Sequence, residues 1–182
     1  VPVLEPSDAQ EALDFTRRAF DISETFDTPV IVRSTTRLSH SRSLVRTGDR
    51  SEAKKRSFVR EPSKNVMIPS YARVRHPLLI ERESNLVIYF DSADLSRWEK
   101  KDSEIGVITA GPVYAYLKEI LPEISVLKLA ASYPLAKDRI LEFCKSVERV
   151  FVLEELEPAI EDEIRGYGIY VEGKEYFPRV GE

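Results

Sequence analysis

Apolar positions recur along this chain in two rhythms. Ala9, Ala12, Leu13, Ala19 and Phe20 share one face at helical spacing. Phe15, Ile22 and Phe26 lie beside that stripe and widen it, so residues 9–26 predict a helix sandwiched in a layer. Ser7 and Gln10 form a capping-box pattern ahead of it. The opening residues read as a short strand. Thr28-Pro29 stops the helix, and "VIVRS" is a short buried-strand run. Together they make one βαβ unit. A single unit has too little partner surface for an independent domain, so it is expected to close the edge of a larger sheet whose other strands are missing.

From Glu104 the alternation is strict. "IGVITAG", "ISVLKLA" and "RVFVLEE" are apolar strand runs, each followed by a helix-spaced segment: "PVYAYLKEIL", "AKDRILEFCKSV" and "PAIEDEIRGYG". "IYVEGKEYF" predicts a final edge strand. Pro112, Pro134 and Pro158 fall at or just before helix starts, where a missing N–H costs least, and Gly168 sits where a C-cap would. Short buried strands alternating with helices predict a doubly wound parallel sheet with right-handed crossovers.

Between these regions the pattern breaks down. Residues 33–64 hold ten Lys/Arg against three acids, and their few apolar residues show no sustained period. They read as an extended, loop-rich connection. Pro77 sits where a helix can begin, and Leu78, Leu79, Arg82, Leu86, Tyr89 and Phe90 predict a linker helix over about 77–92, with a strand possible at Val87-Ile88.

Composition narrows the classes. Hydrophobic residues at 42% and charged residues at 32% describe a soluble globular chain of one domain or two small ones. The net charge of -4 says little about partners. Cys144 is the single cysteine, so this sequence can form no internal disulfide, iron–sulfur centre or cysteine-based zinc site, and a reducing cytoplasm suits it. No apolar run approaches the roughly 18 residues of a membrane span. "VPVLEPSDAQ" lacks a basic n-region, an apolar h-region and an initiator Met, and it begins in a strand, so the expectation is an internal or processed piece.

The most chemical-looking stretch is "RSTTRLSHSRS" at 33–43, just past a strand's carboxyl end, where α/β sheets bind ligands. Arg37 and Arg42 suit a phosphate or carboxylate, and His40 suits proton transfer. The competing reading has the hydroxyls satisfying loop backbone and the arginines pairing with acids. Gly111 offers either an anion site at a helix start or a tight βα turn, and a lone Gly favours the turn. The basic stretch to Lys64 reads as an acid-paired linker ahead of a nucleic-acid footprint, because Phe58 is its one aromatic. The carboxylates of "EELEPAIEDEIR" read as a solvated helix N-terminal half, Cys144 as a buried structural thiol, and His76 as a turn residue.

Taken together, "VPVLEPSDAQEALDFTRRAFDISETFDTPVIVRSTTRLSHSRS", "KNVMIPSYARVRHPLLIER", "EIGVITAGPVYAYLKEILPEISVLKLAASYPL", "VERVFVLEELEPAIEDEI" and "GKEYFPRVGE" resemble consecutive parts of the alpha subunits of indolepyruvate ferredoxin oxidoreductases. These belong to the thiamine-diphosphate-dependent 2-oxoacid:ferredoxin oxidoreductases. The resemblance implies that 1–45 is the C-terminal part of a pyrimidine-binding-like domain, 46–103 a basic linker and linker helix, and 104–182 a transketolase-C-like α/β domain. It implies ferredoxin-dependent oxidative decarboxylation of arylpyruvates, indolepyruvate and CoA giving indoleacetyl-CoA and CO2. Thiamine diphosphate with Mg and 4Fe-4S clusters are implied for the whole enzyme. The implied partners are the rest of the alpha subunit, a smaller beta subunit, ferredoxin, CoA and arylpyruvate.

The departures are equally informative. The acidic residue that activates the aminopyrimidine, the G-D-G…N motif and the cysteine-rich run are not in this sequence, and residues 84–103 depart from the family's linker. No catalytic residue carries over. Thr36, Arg37, Ser39, His40 and Arg42 match a distinctive stretch and are the candidates for a position near substrate or CoA. A non-catalytic interaction or structural domain on a transketolase-C scaffold is the alternative.

Overall fold

The computed structural model describes residues 1–50, 57–101 and 104–180. Lys54, Lys55 and Arg56 of the basic stretch lie outside the described residues. In chain order the elements are β1 (Val3–Leu4), α1 (Ala9–Phe26), β2 (Ile31–Val32), α2 (Thr36–His40), α3 (Pro62–Asn65), α4 (Pro69–Ser92) and β3 (Arg97–Glu99). They continue as β4 (Ile105–Ala110), α5 (Val113–Ile120), β5 (Ser125–Leu129), β6 (Ala131–Tyr133), α6 (Lys137–Lys145), β7 (Arg149–Leu153) and α7 (Ala159–Gly166).

The larger sheet has the order β3-β5-β4-β7. Strands β5, β4 and β7 run parallel, and β3 adds an antiparallel edge. Helix α5 covers one face through Leu117 against Val107 and Val126. Helices α6 and α7 cover the other, packing Ile140, Phe143, Ile160 and Ile164 on Ile108, Leu127, Leu129, Val150 and Val152. Burial on both faces is why these strands read as unbroken apolar runs. The predicted last strand shortens to a single parallel bridge, with Glu172 paired backbone to backbone along the β7 edge.

The βαβ unit is present, β1 and β2 being parallel. Its missing neighbour comes from within the chain: β6 pairs antiparallel with β1, and Glu5 N–H donates to the Ala130 carbonyl at 2.9 Å. The core beneath joins Leu4, Phe15, Ala19 and Ile22 to Leu86 and Phe90 of α4 and to Ala130, Ala131 and Ala136.

Helix α1 has the predicted length but a different cap and face. Asp8, not Ser7, is the N-cap and accepts from Glu11 N–H at 2.8 Å. The buried stripe is Glu11, Phe15, Ala19 and Ile22, while Phe20 is 70% exposed. Leu13 and Ala12 are half-buried. The ammonium of Lys128, 0% exposed on β5, explains the shift. It meets Glu11 Oε2 at 2.5 Å, the Glu5 carbonyl at 3.2 Å and the Phe15 ring at 4.6 Å. Glu11 also accepts from Ser7 N–H and Oγ, and Arg97 reaches its other oxygen at 2.9 Å. Burial pushes the Lys128 ammonium's pKa down, against the opposing pull of Glu11.

Helix α4 starts at Pro69, well before the predicted Pro77, which lies inside it. Apolar packing of Leu86 and Phe90 holds the segment helical through Val87-Ile88. Its end is tied to α6 by Asp91 accepting from Arg139 N–H at 3.1 Å. Strand β3, read from the sequence as linker, is held to α5 by Glu99, which accepts from Lys118 at 2.5 Å and from the Tyr114 hydroxyl. Burial alone would raise the Glu99 carboxyl, but these hydrogen bonds outweigh it and hold it below its ordinary 4.5.

Two outcomes are expected. Glu11→Ala leaves the Lys128 ammonium buried without its carboxylate and should cost about 3–5 kcal/mol, part of which Lys128→Met should restore in the double variant. Urea titration followed by fluorescence of Trp98, the single tryptophan, measures both. A carboxylate depressed in the folded state contributes stability above its unfolded pKa and loses it as pH falls through the folded value. Acidification below 4.5 should therefore loosen β3, and the Glu99→Gln variant should show a flatter acid limb in its denaturation midpoints. Parallel limbs would refute the role given to this contact.

Candidate functional site

Ligand sites of α/β sheets gather at the carboxyl ends of the strands. Here polar residues one or two positions past β1, β2 and β7 converge. Arg33 Nη2 lies 2.8 Å from Glu5 Oε2 and 3.9 Å from Glu155 Oε2. Both carboxylate side chains are largely buried, at 7% and 11% exposure, while Arg33 is 43% exposed. Glu5 also lies against the β4–α5 turn, where Gly111 has φ +61°; a Cβ there would come within 3.3 Å of Glu5 Oε2. The turn reading of Gly111 fits, and the protein's own carboxylate occupies the neighbourhood in which an anion would sit.

Beside this cluster is a cleft of about 500 Å³. Val113 and Tyr116 of α5, Val152 and Leu153 of β7, and Leu156, Phe177, Pro178 and Val180 form its apolar walls. Arg37, Lys174, Glu154 and Glu155 supply its charges. Leu156 holds φ +60°, a conformation that costs a branched apolar residue energy. The Arg37 guanidinium lies over the Tyr116 ring, 5.7 Å from its centroid. Lys174 Nζ donates to the Glu154 carbonyl at 2.5 Å.

Of the acidic residues near α7, Glu157 and Asp162 are exposed as expected, but Glu154 and Glu161 are not part of a solvated face. Glu154 accepts from Ile160 N–H at 2.9 Å and Glu161 N–H at 3.0 Å, capping a helix whose N-cap residue is Pro158. Burial raises the Glu154 carboxyl. Glu161 is 2% exposed, paired with Arg165 at 2.7 Å and accepting from Lys174 N–H. The helix start thus uses buried carboxylates to satisfy its orphan N–H groups.

Segment 33–43 is more ordered than a loop. Thr35 caps α2 through the Leu38 N–H, and Leu38 is buried beneath it. Thr36, Arg37, Ser39, His40 and Arg42 are exposed. Of the five, Arg37 alone lines the cleft; Ser39 hydrogen-bonds Ser34 at 2.7 Å. Cys144 is half-buried against the core, and burial pushes its thiol to about 11, as a structural role requires. Glu5, Arg33, Glu155, Tyr116 and Lys174 were not singled out from the sequence. For the first three a signal existed: each lies one or two residues past an apolar strand run.

The family model described as pyruvate flavodoxin/ferredoxin oxidoreductase, thiamine-diphosphate-binding, matches residues 1–105. The chain belongs to this family. An indolepyruvate oxidoreductase subunit IorA from Archaeoglobus fulgidus is 37% identical over 175 residues, covering 93% of this chain and 28% of the relative. The Thermococcus kodakarensis subunit of the same name is 36% identical over 200 residues, covering 100% and 31%. The chain therefore spans less than a third of the curated relatives it matches. Among solved structures, a 2-oxoglutarate:ferredoxin oxidoreductase from Magnetococcus marinus superposes with a TM-score of 0.61 at 14% identity, covering 94% of this chain and 38% of that one. A split-gene transketolase superposes at 0.50 and 16% identity, covering 94% and 46%. These two show the fold: a family member with a transketolase-like sheet.

Among the described residues no three His, Cys, Asp or Glu side chains gather as a metal-ligand set. One half-buried thiol cannot supply the four thiolates of a 4Fe-4S cluster. Among the described residues, therefore, neither a metal ion nor a cluster finds its ligand set. Among the described residues no helix is long and apolar enough to cross a membrane.

The buried carboxylates make one position by the cleft intolerant. A Cβ on Gly173 would overlap the Glu161 carboxylate and stand 3.2 Å from the Val152 carbonyl. Gly173→Ala should cost about 1–3 kcal/mol by overpacking, read as a drop in the thermal midpoint.

Proposed function

We propose that this chain is part of an oxidoreductase subunit for ferredoxin-dependent oxidative decarboxylation of arylpyruvates, indolepyruvate and CoA giving indoleacetyl-CoA and CO2. The observation that carries this reading is 36–39% identity to indolepyruvate oxidoreductase subunits across 90–100% of the chain. Residues 1–45 would complete a pyrimidine-binding-like domain, 46–103 connect it, and 104–182 form the transketolase-C-like domain. Pairing of β6 with β1 supports a close association of the first and last of these.

Thiamine diphosphate bound by the whole subunit, with Mg, would supply the electron sink for decarboxylation, and 4Fe-4S clusters elsewhere in the enzyme the route to ferredoxin. This chain's residues would build the framework. Glu5, Arg33 and Glu155 fix the carboxyl ends of three strands, and the Thr36, Arg37, Ser39, His40 and Arg42 segment would lie near substrate or CoA. Arg37 is the member whose position in the cleft supports that placement. The partners would be the rest of the alpha subunit, a smaller beta subunit and ferredoxin, in the cytoplasm.

The full subunit carrying this sequence, purified anaerobically with its partner subunit, should reduce ferredoxin when given indolepyruvate and CoA. Preference for 2-oxoglutarate or pyruvate over indolepyruvate would overturn the reading. The 182-residue chain alone should neither turn over nor bind thiamine diphosphate tightly in calorimetry.

A further inference from the structure

We propose that the outward face of helix α4 pairs antiparallel with α4 of a second copy of this chain, about a two-fold axis at Pro77. The helix buries Leu86 and Phe90, both on one side and toward its C-terminal end. On the other side Val74, Pro77, Ile80 and Ile88 recur at helical spacing and are exposed, Val74 at 69%, Ile80 at 53% and Ile88 at 64%. A helix with apolar residues on both sides is ordinarily covered on both, and a continuous exposed apolar face marks a surface of association.

Symmetry in the sequence identifies the occupant. In an antiparallel pair centred on Pro77, each residue before it faces the residue equally far after it on the copy, and every contact occurs twice. Val74 then meets Ile80, and Arg73 meets Glu81. Arg73 and Glu81 are both exposed, and neither side chain has an ion pair or hydrogen bond among the described residues. They stand too far apart to pair along one helix, where partners are three or four positions away. Ser84 falls opposite Ser70, and its hydroxyl already donates to the Ile80 carbonyl at 3.2 Å, so covering it leaves no donor unmet. The exposed Val66 and Met67, just ahead of α4, lie at the end toward which the copy's Ile88 runs. A centre one residue earlier sets Arg73 against Leu79, and one residue later sets Val74 against Arg82. Centring on Pro77 matches apolar with apolar and charge with opposite charge.

This pairing goes beyond the proposed activity and does not depend on it. The full-length subunit, purified with its partner subunit, is followed by sedimentation velocity across a concentration series. Self-association is expected, weakened about tenfold or more by Arg73→Glu and by Glu81→Arg, each of which turns two attractive contacts into repulsive ones. Both positions are exposed, so the thermal midpoints of the two variants should match the parent. The double variant R73E/E81R should associate as the parent does. An equimolar mixture of the two single variants should too, because each copy then offers the charges that the other needs. Subunits that stay single at every concentration overturn the pairing, as does self-association that neither single variant weakens. A mixture that stays dissociated also overturns it, and assigns Arg73 and Glu81 to contacts with other parts of the assembly.

Discussion

The buried ion pair between Lys128 and Glu11 is the contact on which the rest of the arrangement depends. Lys128 stands on an interior strand with 0% exposure, and desolvating it without a counter-charge would be prohibitive. Glu11 answers with one oxygen taking Lys128 and both Ser7 donors and the other taking Arg97. A buried pair of this kind is poor evidence for net stability, since apolar replacements often do as well. Its stronger effect is on registry. Helix α1 has one rotation about its axis that delivers Glu11 to Lys128, and that rotation puts Phe15, Ala19 and Ile22 inward and Phe20 into solvent.

Once α1 is seated, the small βαβ unit has no freedom left relative to the large sheet. Strand β1 must lie beside β6, which follows directly from the strand that carries Lys128. The core under this seam draws on α1, α4 and residues 130–136 together, so it belongs to neither half of the chain alone. The carboxyl ends of β1, β2 and β7 are thereby brought within ion-pairing reach. Arg33 can bridge Glu5 and Glu155 because the seam fixes where their strands stop.

Much of this was legible in the sequence, and the failures share a cause. The bounds of α1 and the alternation after Glu104 followed from periodicity and from prolines at helix starts, which act locally. The buried face of α1 did not, because alanine and phenylalanine spacing cannot reveal that a glutamate will be drawn inward by a lysine 117 positions away. Strand β3 was missed for the same reason: Arg97 and Glu99 flank Trp98 and look like linker until Glu11, Tyr114 and Lys118 partner them. Pro77 misled in the opposite direction, since a helix tolerates one lost hydrogen bond when Leu86 and Phe90 are held by a core.

The candidate site shows the same division between local pattern and distant partner. Five residues in the 33–43 stretch were chosen for their chemistry, yet a five-residue helix anchored by one buried leucine cannot aim all its neighbours at one place. Leu38 fixes which side faces the protein, and exposure of Thr36, Ser39 and His40 follows from short side chains or outward positions. Arg37 reaches the cleft because its arm is long enough to cross to Tyr116. Position rather than residue type separates Arg37, which lines the cavity, from the other four, since Arg42 has the same side chain and does not line it. The same logic explains why the acids were misread, since Glu154 and Glu161 look solvated in sequence but are consumed by the first N–H groups of α7, by Arg165 and by the Lys174 N–H. Those carboxylates are internal acceptors, and a count of charges along the chain could not have separated them from the exposed Glu157 and Asp162.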